Sequence, residues 1–402
     1  MSLGGTLIRR RLCAPAIGIA LSLAILGSTT AGAMPVARQT AIVFTDLKPA
    51  FNWAKNAINY VAATHNWMFD YGQRKNGTYE FHPTTLETRI LLARALVRAF
   101  APAEAIDPSI EFLDLPNTSS LYPFANVAVK LGWMGINSKG DFKGDATVTM
   151  LNLHAVLIRV LGLQATADSI DALHMTDGTP FVTPRHLGST LLGMRLGLRY
   201  NNSNEVMDVL PTTVLDRAQV AYSLFQAATL DPWIIPYLQA QYANMTLPNM
   251  SPVRKALVEW GLRFVGYPYV WGGEWGLNSP EPSGLGGQPI PGFDCSGFAW
   301  WVLKSDTGAW RVHPPRPYGG WNLPQRVAVD QAHGAPSIGY SKLKPGDLMF
   351  YDGEGNGFID HVDIWIGNGW ALDSSSSVGG VSVMWVADGW YRDHFMHGRK
   401  MI

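Results

Sequence analysis

The stretch Phe293-Asp294-Cys295-Ser296-Gly297-Phe298-Ala299-Trp300-Trp301-Val302-Leu303 decides how this chain is read. A short polar start runs into apolar residues with few breakers, which predicts a helix with Cys295 at its N-terminus. There the sulfur meets the positive end of the helix macrodipole, a setting that favours a thiolate. Gly297 lets the helix approach a neighbouring loop closely. Downstream, Leu343-Lys344-Pro345-Gly346-Asp347 reads as a turn and Leu348 to Tyr351 as a strand. His361-Val362-Asp363-Ile364-Trp365-Ile366 alternates and ends in Gly367-Asn368-Gly369, a hairpin signal. A helix bearing a nucleophile followed by a run of strands is an α+β order.

A reactive cysteine needs a base, and His361 opens the strand that leads into the hairpin. The base in turn needs an orienting acceptor. Asp373, on the returning strand, can serve in only one register. A two-residue Asn368-Gly369 loop turns it away from His361. A three-residue loop with a left-handed Gly369 sets it opposite Asp363, on the face of His361. We expect the three-residue loop, with Ser375 as the fallback partner. The run Asp352 to Asp363 mimics a calcium-loop spacing, but no helices flank it, and it reads as a loop between strands. No metal or organic cofactor is required.

Working outward, the chain has 402 residues, 31 basic and 31 acidic, with 47% apolar and 15% charged. That length implies more than one domain and a sizeable core. Zero net charge argues against a nucleic-acid partner. Two cysteines exclude a disulfide scaffold and a multi-thiolate zinc site. Arg9, Arg10 and Arg11, the apolar run from Leu12 to Leu26, and Ala31-Gly32-Ala33 form a secretory signal pattern over residues 1–33. Its removal leaves 28 basic residues against 31 acidic and Cys295 as the remaining cysteine. No later segment is apolar enough to span a membrane. The expected location is outside the cell.

Of 15 Trp residues, 11 lie between Trp260 and Trp390, whereas residues 40–230 carry helical patterns such as Thr88 to Phe100. Residues 231–252, with two prolines and no charge from Tyr242 to Pro252, read as a linker. The first half holds a degenerate repeat. Phe44-Thr45-Asp46 leads to Phe81-His82-Pro83 and a helix after Thr88-Arg89; Phe112-Leu113-Asp114 leads to Gly140-Asp141-Phe142 and a helix after Thr149; a third copy reaches Asp216-Arg217-Ala218-Gln219. The equivalent positions Arg89, Met150 and Arg217 are 61 and 67 residues apart. Each copy is too small to bury its own apolar face, so the three should pack together.

The repeat pattern resembles the S-layer homology module, which comes in threes and binds secondary cell-wall polymers of bacteria. Met150 stands where that module carries arginine. Residues 253–402 resemble the NlpC-type papain-like cysteine peptidases, on the order Asp294-Cys295-Ser296-Gly297, then Leu343 to Leu348, then His361 to Gly369. The resemblance implies a multidomain chain, an all-α repeat region followed by an α+β papain-like domain with helices packed on an antiparallel sheet. It implies Cys295 as nucleophile, His361 as base and Asp373 as third residue. Tyr269 falls near the oxyanion site. Asp294 matches a residue that contacts the substrate's free amine and Arg316 an arginine after the nucleophile helix; with Ser296 and the cleft candidate Trp271 they are the expected substrate-binding residues. The implied reaction is cleavage of peptidoglycan stem peptides between D-glutamate and a diamino acid. Two other readings stay open: a silent wall-binding protein, and an acyl-transferase or amidase on the same scaffold.

Overall fold

The computed structural model describes residues 42–275, 288, 290–303 and 323–402. The expected signal segment, residues 276–287 and Arg316 within 304–322 lie outside them. The first half is built from short helices: α1 (Lys55–Ile58), α2 (Arg89–Phe100), α3 (Tyr122–Lys130), α4 (Met150–Val160), α5 (Gln164–Asp171), α6 (Leu187–Arg195) and α7 (Arg217–Ala228). α2 buries Ile90, Leu92, Ala93, Leu96 and Val97, one helical stripe. α4 begins on a Thr149 cap that accepts from the Asn152 amide, and α7 on a capping box between Asp216 and Gln219.

The segments just before α2, α4 and α7 close a ring of backbone hydrogen bonds. The Glu87 amide donates to Leu215 O (2.9 Å), Leu215 to Val148 O (2.8 Å) and Val148 to Glu87 O (3.1 Å). These residues keep the 61 and 67 spacing read from the sequence. Two arginines fill the seams around the ring in the same way. Arg217 donates Nε to Phe81 O (2.9 Å) and Nη2 to Met68 O (3.0 Å). Arg89 donates Nε to Phe142 O (2.9 Å) and Nη2 to Gly135 O (2.5 Å). At the third seam Met150 has no such group, and the guanidinium comes from Arg199 instead. Its Nη1 donates to Val209 O at 3.1 Å, the residue equivalent to Phe142.

The segment 231–252 is not the linker its composition suggested. It contains α8 (Ile234–Tyr242), whose Leu238 and Tyr242 are buried. Tyr242 stacks on Trp370 with ring centroids 5.1 Å apart. Leu247 is fully buried and donates its amide to His174 O at 3.1 Å. Leu238, Tyr242, Met245 and Leu247 are the buried anchors of the segment, while residues such as Ala243, Asn244 and Asn249 between them are exposed.

The second half is α9 (Pro252–Leu262), β1 (Glu274–Trp275), β2 (Gly292–Phe293), α10 (Cys295–Leu303), α11 (Ala328–His333), β3 (Ser337–Ile338), β4 (Leu348–Tyr351), β5 (His361–Gly367), β6 (Trp370–Ser375), β7 (Gly380–Trp385), α12 (Gly389–Asp393) and β8 (Phe395–Arg399). Six strands form an antiparallel sheet in the order β3-β8-β4-β5-β6-β7. α10 is buried from Ser296 to Leu303 and packs on β5 and β6. Among the described residues, no helix is long and apolar enough to cross a membrane.

The two halves form one unit from Ile42 to Ile402. Buried Arg199 also donates to Gly266 O and to Gly379 O (2.5 Å). Asn201 Nδ2 donates to Ser376 O at 2.8 Å. Gly266, at φ +91, fits against Thr190 and Pro211 where a Cβ would collide. α6 is buried along its length up to Met194, between the other repeat helices and β7.

Candidate active site

The turn before α10 is held by a compact ion-pair network. Asp294 Oδ1 accepts from the Gly297 amide (2.6 Å) and Ser296 Oγ (3.2 Å), and Oδ2 accepts from the Gly272 amide (3.1 Å). Arg326 clamps the same carboxylate with Nη1 at 3.0 Å and Nη2 at 3.1 Å, and reaches Glu274 with Nε at 2.5 Å. Its Nη1 also donates to Ser296 Oγ (3.0 Å) and its Nη2 to Gly273 O (3.0 Å). Asp294 and Ser296, expected to touch substrate, are thus engaged by the chain's own donors and fix the loop that carries Cys295. Nothing in the sequence pattern pointed to Arg326.

Gly297 is required at this turn. A Cβ there would overlap the Gly273 carbonyl oxygen and press on the Arg326 guanidinium. Gly297→Ala should therefore cost about 1–3 kcal/mol of stability through overpacking. It should lower Tm and activity together, measured by thermal unfolding and peptide hydrolysis; an unchanged Tm would contradict the packing described.

Cys295, Tyr269 and His361 line one cavity of about 910 Å³. The thiol is half-buried and lies 4.0 Å from Asp360 O. Burial, then the negative charges of Cys295 and Asp294, push the Tyr269 phenol well above its ordinary pKa. Its hydroxyl therefore stays protonated, a donor at neutral pH. Trp271, expected to bind substrate, is 80% exposed and is not among the cavity's lining residues. Its amide is 2.9 Å from each Glu205 carboxylate oxygen, an acidic partner from the first half that the motifs did not reveal.

His361 sits behind the thiol on β5. Its Nε2 is 3.0 Å from Asp373 Oδ1 and 3.2 Å from Asp363 Oδ1, both side chains fully buried. Tyr391 Oη donates to Asp373 Oδ2 at 2.7 Å. The register is the one expected, but the loop is not. Asn368 (φ 51) and Gly369 (φ 86) make a two-residue turn, and a bulge between Trp365 and Gly367, with Gly367 at φ 105, restores the offset. Pairing of Ile364 with Leu372 then carries Asp373 to the side of Asp363. Asp363, two residues after His361 on the same strand face, is a second carboxylate that strand alternation alone could have flagged.

Burial alone would lower the His361 pKa, but Asp373 and Asp363 outweigh it and hold the imidazolium well above its ordinary value. Burial and the neighbouring Asp373 charge push the Asp363 carboxyl up. Both groups hold more protons in the folded than in the unfolded chain, so both make stability fall as pH rises. The His361 contribution is complete below about pH 6.5 and is lost as pH climbs through its raised folded value. Tm should therefore decline from pH 6.5 towards 9. In Asp373→Asn the His361 part of that decline should still start near about pH 6.5 but be smaller and end at lower pH, because one of the two supporting charges is gone. A pH-independent Tm would refute this.

A cysteine at the start of a sheet-packed helix, with a strand-borne histidine and a carboxylate behind it, defines a domain of the cysteine-peptidase type. The family model described as the NlpC/P60 family matches residues 266–400, so the C-terminal part of this chain is an NlpC/P60 domain. Over 173 residues the chain is 28% identical to the bifunctional muramidase/DL-endopeptidase CwlT of Bacillus subtilis (strain 168), covering 41% of this chain and 44% of that protein. It is 29% identical over 145 residues to a gamma-D-glutamyl-L-lysine dipeptidyl-peptidase of the same organism, covering 36% and 40%. It is 34% identical over 119 residues to the peptidoglycan endopeptidase RipB of Mycobacterium tuberculosis (strain ATCC 25618 / H37Rv), covering 30% and 42%. The chain thus spans less than half the length of each of these relatives.

Proposed function

We propose that the protein is a secreted peptidoglycan endopeptidase that cuts stem peptides between γ-linked D-glutamate and a diamino acid. The observation that carries this reading is the meeting of Cys295, His361 and Tyr269 on one cavity wall, with Asp373 behind the histidine. His361 Nε2 is taken up by the carboxylates, so proton exchange with the thiol falls to Nδ1. With the imidazolium held by the two carboxylates, the thiol proton already sits on His361 and Cys295 Sγ attacks the amide carbon as the thiolate. The oxyanion is stabilised by the Cys295 amide, at the open N-terminus of α10, and by the Tyr269 hydroxyl. Collapse expels the amine, which takes the proton from His361. Water, deprotonated by the now neutral His361, then attacks the thioester; collapse breaks the C–S bond and restores the thiolate beside the imidazolium, and the product acid leaves and gives its proton to solvent.

The names of the relatives support the wall substrate, and the pattern in residues 1–33 supports export. The 61 and 67 spacing and the paired roles of Arg89 and Arg217 support an S-layer-homology-like region over 40–230 that holds the protein to a secondary wall polymer. The test is digestion of defined muropeptides with mass analysis of the products. New ends at D-glutamate and at the amine of the diamino acid are expected. Transfer products, release of glycan from peptide, or no change would each refute the assignment.

A further inference from the structure

The cavity at Cys295 is not made by the NlpC/P60 domain alone. The first half supplies Met194, Arg195, Tyr200 and Asn201 to its wall. Arg195 is the last residue of α6 and the one residue of that helix that is not buried. Its Nη1 donates to the thioether sulfur of Met384 at 3.2 Å, and its Nε is buried with no hydrogen-bond partner. No carboxylate among the described residues pairs with it. Asp360, the one acidic side chain on the cavity wall among the described residues, is committed to the Gly353 and Glu354 amides (2.9 and 3.1 Å). A half-buried guanidinium facing a thioether is poorly compensated, and a planar anion in the cavity would satisfy it.

We propose that Arg195 is a specificity-determining residue that binds a free carboxylate of the substrate beside the scissile amide. This rests on the endopeptidase reading and deepens it. A glutamate joined through its γ-carbonyl necessarily keeps its α-carboxylate free, a few bonds from the carbon that Cys295 attacks. An arginine from the repeat region would thus distinguish a γ-glutamyl bond from an ordinary peptide bond, which carries no such charge. It would also distinguish the carboxylate from its carboxamide, which lacks the charge and offers only one acceptor oxygen.

The experiment uses the full chain and two γ-D-glutamyl peptides that differ only in carrying an α-carboxylate or an α-carboxamide. Hydrolysis is measured with wild type, Arg195→Gln and Arg195→Lys, and binding is measured by calorimetry in the Cys295→Ala background. Arg195→Gln should lower kcat/KM on the carboxylate peptide about 10–100-fold, the size of a lost charge-assisted hydrogen bond. It should cost far less on the carboxamide, and Arg195→Lys should recover part of the loss. Equal losses on both peptides would assign Arg195 to packing or to balancing the buried acids, and would overturn the proposal. Cleavage of both peptides at equal rates by wild type would overturn it while leaving the endopeptidase reading intact. A carboxylate preference in binding that Arg195→Gln removes, with neither peptide cut by wild type, would uphold Arg195 and defeat the endopeptidase reading. Absence of both binding and cleavage would defeat both.

Discussion

Cys295→Ala should lose cleavage of muropeptides by about 10⁴-fold or more in kcat/KM while keeping its fold. Removing the nucleophile of a catalytic set that acts as a unit typically costs at least this much. The thiol is half-buried at the mouth of α10, and its recorded hydrogen-bond contact is a long one to Asp360 O. Alanine therefore removes reactivity without opening a core cavity, and Tm should stay within a few degrees of wild type. Substantial residual digestion by Cys295→Ala would remove the thiol mechanism altogether. His361→Ala should follow it closely, because in the proposed mechanism the same imidazole holds the thiol proton and delivers it to the leaving amine.

The largest stability effect is expected far from the chemistry, at Arg217. Its side chain is fully buried, ion-paired to Asp70, 3.4 Å from Glu87, and stacked over Phe81 at 4.5 Å. Burial raises the Glu87 carboxyl to about 7, with Arg217 opposing the rise. Arg217→Met would leave Asp70 to Arg94 alone, take the cation away from buried Glu87 and leave two carbonyl acceptors unpaired. Breaking a buried pair from one side costs about 3–5 kcal/mol. Arg89→Met, at the matching seam, removes no ion pair and should cost clearly less. Comparable midpoints for the two variants in denaturant titrations would contradict the asymmetry.

Much of the catalytic half was legible because short-range rules govern it. The helix after Cys295, the strand from His361 and the side of the sheet that holds Asp373 each follow from spacing within a dozen or so residues. The hairpin shows the limit: a bulge at Gly367 and a three-residue loop shift the register equally, and sequence does not separate them. Residues that act across long separations were not legible. Arg326 reaches Asp294 across 32 positions and Glu205 reaches Trp271 across 66, and only the packed chain shows such pairs. The same holds for 231–252, where a proline-bearing stretch suggests a free connector but Leu238, Tyr242, Met245 and Leu247 are buried as anchors and Tyr242 stacks on Trp370.

Met150 changes what kind of part the peptidase half is. With no arginine of its own at the third seam, the ring borrows Arg199, and Arg199 spends its other donors on Gly266 and Gly379. The side chain that completes the threefold arrangement is therefore also the bolt to the catalytic half. The two halves are not interchangeable cassettes. A chimera that grafted residues 253–402 onto a different N-terminal region would inherit two unmated carbonyls and half a cleft, and a partner swap would need Arg195 and Arg199 to travel with the peptidase.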